Sequence, residues 1–599
     1  MLHMNQPTHP SRILQFLFFL GFVSALLAGN VAARQLDIRY TVSIADAAKR
    51  QFHVKTEISG IKQQQLDLSL PAWAPGWYVI ENYGKNILRF TVSDATGKRI
   101  QPRMIKKQIW RIDTNGQEKI NIDFDYRADV LGLNQAKIGD DFAFFTGIQL
   151  FLEPLGYRNN PSTLRIDPPA GWTLISPLEP AGQPNTFRAA DYDTLVDAPL
   201  LMGNFDLTEF QVEGKPHYFA AYPAGVFNSE KTQRFTEMLG RTIQAQSAIF
   251  GGLPYQRYVA FYFFRPAESN AGGALEHLNS YVAFAPAGAN STPESIIGTG
   301  SHEFFHLWNV KRIRPAEMWP YDYTRENETP LLWFSEGFTN YYGVLATYRA
   351  GITGKEQFIA AAARAAAGVE NTEARHYISP ADSSVSTWLG YDTPLAFGIS
   401  YYTQGQNLAA LLDLSIRNDT DGKSSLDDLL RILYNEHYRR GRGFTSDDLI
   451  AHLNKITGKD YRAFFDDYVF GVKVPDYDKI FGYAGLRLER KNQFTPDFGF
   501  SARARGQGLT LTGVEPAGAA AEAGLRTGDT IIKIDGVSPF EARLGDSAGK
   551  TLTLVVIRSG QEMEVKLIPK SRSYVEYNLV ESENATPRQI NIREGWLKR

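Results

Sequence analysis

The chain contains no cysteine, so no disulfide braces it and no thiolate is available to a metal. It has no charge excess either: 63 Lys and Arg against 65 Asp and Glu leave a net charge of -2. The electrostatic footprint of a nucleic-acid-binding protein is therefore missing. Beyond residue 33 no apolar run is long enough to cross a bilayer. What is present is the composition of a folded protein, 43% hydrophobic and 21% charged, which excludes wholesale disorder. At 599 residues the chain exceeds what one core serves, so roughly three or four domains are expected.

The amino-terminal segment is set apart. Arg12 precedes an apolar stretch from Ile13 to Ala28, and Val31-Ala32-Ala33 supplies a small-residue cleavage pattern. The stretch is short for a membrane anchor and is broken by Gln15 and Gly21. Residues 1–33 are read as a signal peptide, and the mature chain is expected in the periplasm or outside the cell.

Leu36, Ile38, Tyr40, Val42 and Ile44 alternate with polar residues, as do Ile120, Ile122, Phe124 and Tyr126. This period of two belongs to half-buried strands, so residues 34–205 are expected to form an N-terminal all-β, sandwich-like domain. From 206 to 478 the alanine-rich Phe358–Ala367 and the leucine spacing in Gln406–Arg417 predict a mainly helical domain. Asn418–Gly422 has the look of a calcium loop, but Arg417 occupies the first ligand position; a turn capped by Ser424 or Ser425 is expected instead. Residues 479–572 return to strands, and 573–599 are left as a C-terminal tail. Ala520–Gly536, with its turn Gly524–Asp529, resembles the signature of a PDZ domain.

The chemistry is concentrated in Ser301-His-Glu-Phe-Phe-His306. On a helix, residues four apart share a face, so His302 and His306 can present both imidazoles to one metal ion. Ser291 and Glu294 have capping-box spacing, Pro293 lies in the first turn and Pro315 lies beyond the end. A catalytic zinc needs a third protein ligand and an open position. Two glutamates offer themselves: Glu326 in the polar stretch Tyr323–Pro330, and Glu336 within the apolar segment Leu331–Tyr342, which begins after Thr329-Pro330. A carboxylate in apolar surroundings needs a partner, which a metal supplies.

His302–Asn309 and Trp333–Tyr342 resemble the two zinc segments of the alanyl aminopeptidase group, with a longer spacer. Together with His306–Pro315, Pro71-Ala-Trp-Ala-Pro-Gly-Trp77 and the PDZ-like block, they are similar to the glycyl aminopeptidase family of zinc metallopeptidases, a gluzincin type with a thermolysin-like catalytic domain. The likeness spans nearly the whole mature chain and selects Glu336 over Glu326. It implies one zinc per chain on His302, His306 and Glu336, with Glu303 as catalytic base. It also implies that Glu276, in Gly272-Gly273-Ala-Leu-Glu-His277, anchors the substrate's free amino end, the two glycines letting substrate backbone approach. In Tyr401-Tyr402-Thr-Gln404, Tyr402 aligns best as the oxyanion donor, although relatives often carry lysine at Gln404, which leaves Tyr401 open. Lys311, Arg312 and Arg314 are assigned to a solvated face.

The implied activity is a zinc aminopeptidase acting on peptides with small N-terminal residues. An endopeptidase would share the zinc chemistry without the amine anchor. A non-catalytic protein working through its PDZ-like block would need no zinc. In that block Asp497–Phe500 is the expected carboxylate-binding loop, weakened by the charge of Asp497, so contact with the catalytic domain is the alternative.

Overall fold

The computed structural model describes residues 35–266, 272–288, 291–391, 395 and 397–598. The expected signal peptide lies outside them. Among the described residues no helix is long and apolar enough to cross a membrane.

The N-terminal domain is all-β. Its largest sheet has eight strands and is centred on Asp37–Asp46, Gln51–Ser59 and Lys119–Arg127, which pair antiparallel in that order. Alternation puts Tyr40, Val42, Val54, Ile120 and Ile122 on the core side. The pairing is not wholly antiparallel as expected, because Asp37–Asp46 also lies parallel to Ser162–Asp167. A five-stranded and a four-stranded sheet complete the layers.

The middle of the chain opens with a sheet that the helical expectation overlooked. Five strands lie in the order Asp206–Val212, Lys215–Tyr222, Tyr258–Arg265, Ser280–Pro286 and Ala274–His277. Tyr258–Arg265 is a parallel central strand buried along nearly its full length, so it reads as one apolar run without alternation. Ala274–His277 is the antiparallel edge. Helices then dominate: α1 (Ser229–Phe250) inside the sheet region, α2 (Pro293–Phe305), α3 (Leu332–Arg349), α4 (Lys355–Glu370) and α5 (Tyr401–Asp419). The turn after α5 leads to Ser425, which caps the next helix as expected.

At the carboxy-terminal end, Leu486–Asp497 and Lys570–Glu581 form a two-stranded antiparallel ribbon. Five antiparallel strands and a short helix are inserted between its arms, with a core of their own around Leu511, Ala520, Ile531 and Val556. Residues beyond 573, set aside on sequence grounds as a tail, continue the ribbon and end in α6 (Pro587–Trp596). Thr586 and Gln589 form the capping box of α6, and its Ile592 and Trp596 enter the main core, which runs unbroken from the N-terminal sheets.

Candidate active site

Helix α2 carries the histidines. Its cap is Thr292, with Ser295 as the reciprocal partner and Pro293 at the first helical position, not the expected Ser291 and Glu294. Glu294 pairs with Arg234 instead. The regular helix ends at Phe305, but His306 keeps right-handed helical backbone angles, so the spacing of four still puts both rings on one side. Helix α3 starts without a side-chain cap of its own: the hydroxyl of Ser384 accepts from the Trp333 N–H, a distant residue doing what Thr329-Pro330 was expected to do.

The Nε2 atoms of His302 and His306 stand 3.0 Å apart, and Oε2 of Glu336 lies 3.5 and 3.2 Å from them. Nδ1 of His306 lies 2.7 Å from the carbonyl of Asn309; in the neutral ring that nitrogen donates, leaving the Nε2 lone pair to point at the other two donors. The Asn309 amide donates to the carbonyls of Phe334 and Ser335 on α3, locking the two metal-binding segments together. His302 is hydrogen-bonded to Asn340. Oε2 of Glu336 has no hydrogen-bond donor although it is buried. A buried carboxylate oxygen and two imidazole nitrogens converging on one point fit zinc, and the set of three leaves a fourth position for water or substrate. Glu326 is exposed on its loop, away from the cluster.

Glu276, on the edge strand, is 3% exposed, and its carboxylate gathers with the Glu303 carboxylate and the His306 imidazole in a second group of mutually close donor atoms. Burial pushes Glu303 up to about 8, against the pull of His306. Burial opposes charge on all three ligands and prevails at His302, which it pushes down; at the other two the attraction between them wins, so that Glu336 is held down at about 2 and His306 is pushed up to about 10 by Glu336 and Glu276. Gly272 has open space around it and Gly273 has a φ of +106°.

Helix α5 approaches α3 through Gly337 and Gly405, where neither residue has room for a Cβ. This crossing sets Tyr402 beside the metal ligands, its ring stacked 6.3 Å from that of His302. Tyr401 stacks on Tyr402 at 4.9 Å, and its hydroxyl meets Thr387 at 3.1 Å and also bonds to Tyr402. Burial first, and the Glu336 carboxylate second, hold the Tyr402 hydroxyl protonated far above its usual range, as a donor must be. Tyr391 hydrogen-bonds with Tyr402. Gln404 is buried and structural, accepting from Ser383 and donating to the Ile378 carbonyl.

Several participants escaped the sequence. Gly76 and Tyr78 come from the N-terminal domain; the Tyr78 hydroxyl is buried without a hydrogen-bond partner and feels the Glu336 charge. Their segment was singled out only as a point of likeness. Lys311, Arg312 and Arg314 do not form a solvated face: they are 2%, 3% and 9% exposed. The chain turns inward after α2, so Arg312 satisfies the carbonyls of Leu278, Leu307 and Pro254. Arg314 lies 3.8 Å over the ring of Tyr321.

A model of the peptidase M61 N-terminal domain matches residues 39–204, and one of the M61 glycyl aminopeptidase matches residues 295–408. The crystal structure of an aminopeptidase N family protein from Idiomarina loihiensis is similar at a TM-score of 0.80 and 25% identity, over 94% of this chain and 100% of that one. An M1 zinc metallopeptidase from Deinococcus radiodurans gives a TM-score of 0.47 at 15% identity, over 74% of this chain and 94% of that one. Among curated proteins, the regulator of sigma-E protease RseP of Escherichia coli is 39% identical over 67 residues, 10% of this chain and 15% of that protein. Its N-terminal domain and its metal-binding helices are thus each matched by a model of one family, the M61 glycyl aminopeptidases.

Proposed function

We propose that the protein is an exported zinc aminopeptidase that removes N-terminal residues from peptides, small ones such as Gly and Ala by family likeness. The observation that carries this reading is the convergence of Glu276, a buried carboxylate outside the ligand triad, with Glu303 and His306. A free amino terminus offers a charged donor to its Oε1, which is buried without a hydrogen-bond partner.

His302, His306 and Glu336 would hold the zinc. When bound there, zinc lowers the pKa of water so that a nucleophile is available near neutral pH. Glu303 takes the proton of the attacking water and returns it to the leaving amine, first base and then acid. The Tyr402 hydroxyl donates to the oxyanion that develops on the scissile carbonyl. Glu276 pairs with the substrate's α-ammonium, and this fixes which bond is presented.

The C-terminal β domain is read as PDZ-like, with a structural rather than a peptide-capturing part. In its expected carboxylate loop, Oδ1 of Asp497 already accepts the Gly499 N–H at 3.0 Å. The test of the whole reading is metal content together with cleavage of paired free and N-acetylated peptides, with and without chelator. About one zinc per chain and chelator-sensitive cleavage of the free peptide alone are expected. Equal cleavage of both peptides would point to an endopeptidase, and absence of zinc would leave a binding protein.

A further inference from the structure

Glu276 is poorly held by its own surroundings. It sits on an edge strand paired on one side only, and its Oε1 is buried without a hydrogen-bond partner. The two residues after it are both bonded to one side chain of the N-terminal domain. Oδ1 of Asp197 lies 3.1 Å from Nδ1 of His277, and Oδ2 accepts the N–H of Leu278 at 2.7 Å. Asp197 belongs to the N-terminal domain, at the end of the short helix Tyr192–Val196.

A buried aspartate needs a counter-charge. Lys311 supplies it: Nζ lies 3.1 Å from Oδ1 of Asp197, and the lysine side chain is 2% exposed. Lys311 follows His306 by five residues, so the same segment that brings a metal ligand brings the cation. Its charge also acts on Glu276 itself. The contacts thus run from the metal-binding segment through Lys311 and Asp197 to the strand that carries Glu276.

We infer that the Lys311–Asp197 pair is the positioning element of the amine anchor, making selection of a free amino terminus depend on a residue of the N-terminal domain. The inference rests on the reading of Glu276 as that anchor. Lys311 is a positioning residue and touches neither substrate nor metal in this account. Its loss should therefore weaken recognition of the ammonium and spare the hydrolytic step.

The test is steady-state kinetics of Lys311→Met and Asp197→Asn on an alanyl dipeptide and its N-acetyl counterpart, with zinc measured in each preparation. Expected are a KM for the free dipeptide raised about tenfold or more, a kcat within about threefold, unchanged zinc, and a reduced preference for the free peptide. Lys311→Arg should recover part of that preference. Should Lys311→Met misfold because Asp197 is left unpaired, Asp197→Asn/Lys311→Met leaves no orphan charge and carries the same expectation. A folded, zinc-loaded variant with wild-type preference overturns the inference, as does an equal loss on both peptides. Glu276→Ala, run in parallel, separates the two ideas. If it abolishes the preference while the Lys311 and Asp197 variants keep it, only the positioning role fails; if it too keeps the preference, the anchor itself was misassigned.

Discussion

Gly76 of the N-terminal domain lies against Glu276 of the catalytic domain so closely that a Cβ on Gly76 would come within 2.6 Å of both carboxylate oxygens. Its φ of +90° also falls where a side chain is strained. At this point the wall against the Glu276 carboxylate, the proposed amine anchor, is therefore bare backbone, and the two domains meet there.

Gly76→Ala tests that wall. Either Glu276 or the loop has to move, so kcat/KM on free dipeptides should fall about tenfold or more while zinc content stays at the wild-type level. Kinetics together with metal analysis decides it. Wild-type kcat/KM would show that the wall gives way without consequence.

Glu303→Gln keeps the size and burial of the side chain and removes the base. Zinc should bind as before and kcat should fall about 10²–10⁴-fold. A metal-loaded variant with normal turnover would remove Glu303 from the mechanism.

The two tyrosines of α5 should behave differently. Tyr402→Phe should lower kcat by about 10²–10³-fold through loss of an oxyanion donor. Tyr401→Phe loses hydrogen bonds to Thr387 and Tyr402 and should lower kcat far less, acting mainly on stability by about 1 kcal/mol. Reversed results would transfer the role to Tyr401.

Zinc binding should release protons. In the metal-free cluster His306 is pushed up to about 10 by Glu336 and Glu276 despite its burial, so at neutral pH its ring is protonated and must lose that proton to become a ligand. Affinity should fall by about tenfold or more for each pH unit of acidification. Calorimetry in buffers of different ionisation enthalpy should find at least about one proton released per zinc. A pH-independent affinity between pH 6 and 8, or no released proton, contradicts this.

How much of this was legible depended on how local the signal was. His302, Glu303 and His306 could be read because one helix turn brings them together; Glu336, an acid in an apolar segment, stood beside Glu326 as a candidate until the family likeness chose between them. The N-terminal strands showed their alternation openly. By contrast, Asp197 lies 114 residues before Lys311, and nothing in either segment announces the other. The charges of Lys311–Arg314 read as a solvated face because burial is decided by partners that arrive from elsewhere. The catalytic sheet hid for the opposite reason: its central strand is apolar on both faces, which erases the period of two.

The carboxy-terminal end offers a prediction about design. Trp596 is fully buried, and its Nε1 donates to the Tyr341 hydroxyl on the helix that carries Glu336. Trp596→Ala should destabilise the helical core by about 3–5 kcal/mol, and a stop after Ser582 should cost more. Excising 498–569 and closing the ribbon with an Asn-Gly turn should leave zinc content and dipeptide turnover unchanged. Denaturation monitored by tryptophan fluorescence, together with metal analysis, distinguishes the three.

That ribbon also settles how force would travel. Its two arms enter and leave at the same end, and Asn371, just past α4, pairs with Val575 like a further strand, donating to its carbonyl at 2.8 Å and accepting its N–H at 2.7 Å. A pull on the inserted domain loads both arms together instead of peeling one from the other, and it reaches the catalytic body at the clasp, at the buried helix Tyr477–Gly482 from which the first arm runs, and at Trp596. The appended domain is thus hung as a bucket from a doubled handle: a single cut at its far tip would leave both halves still attached, each by its own arm of the ribbon.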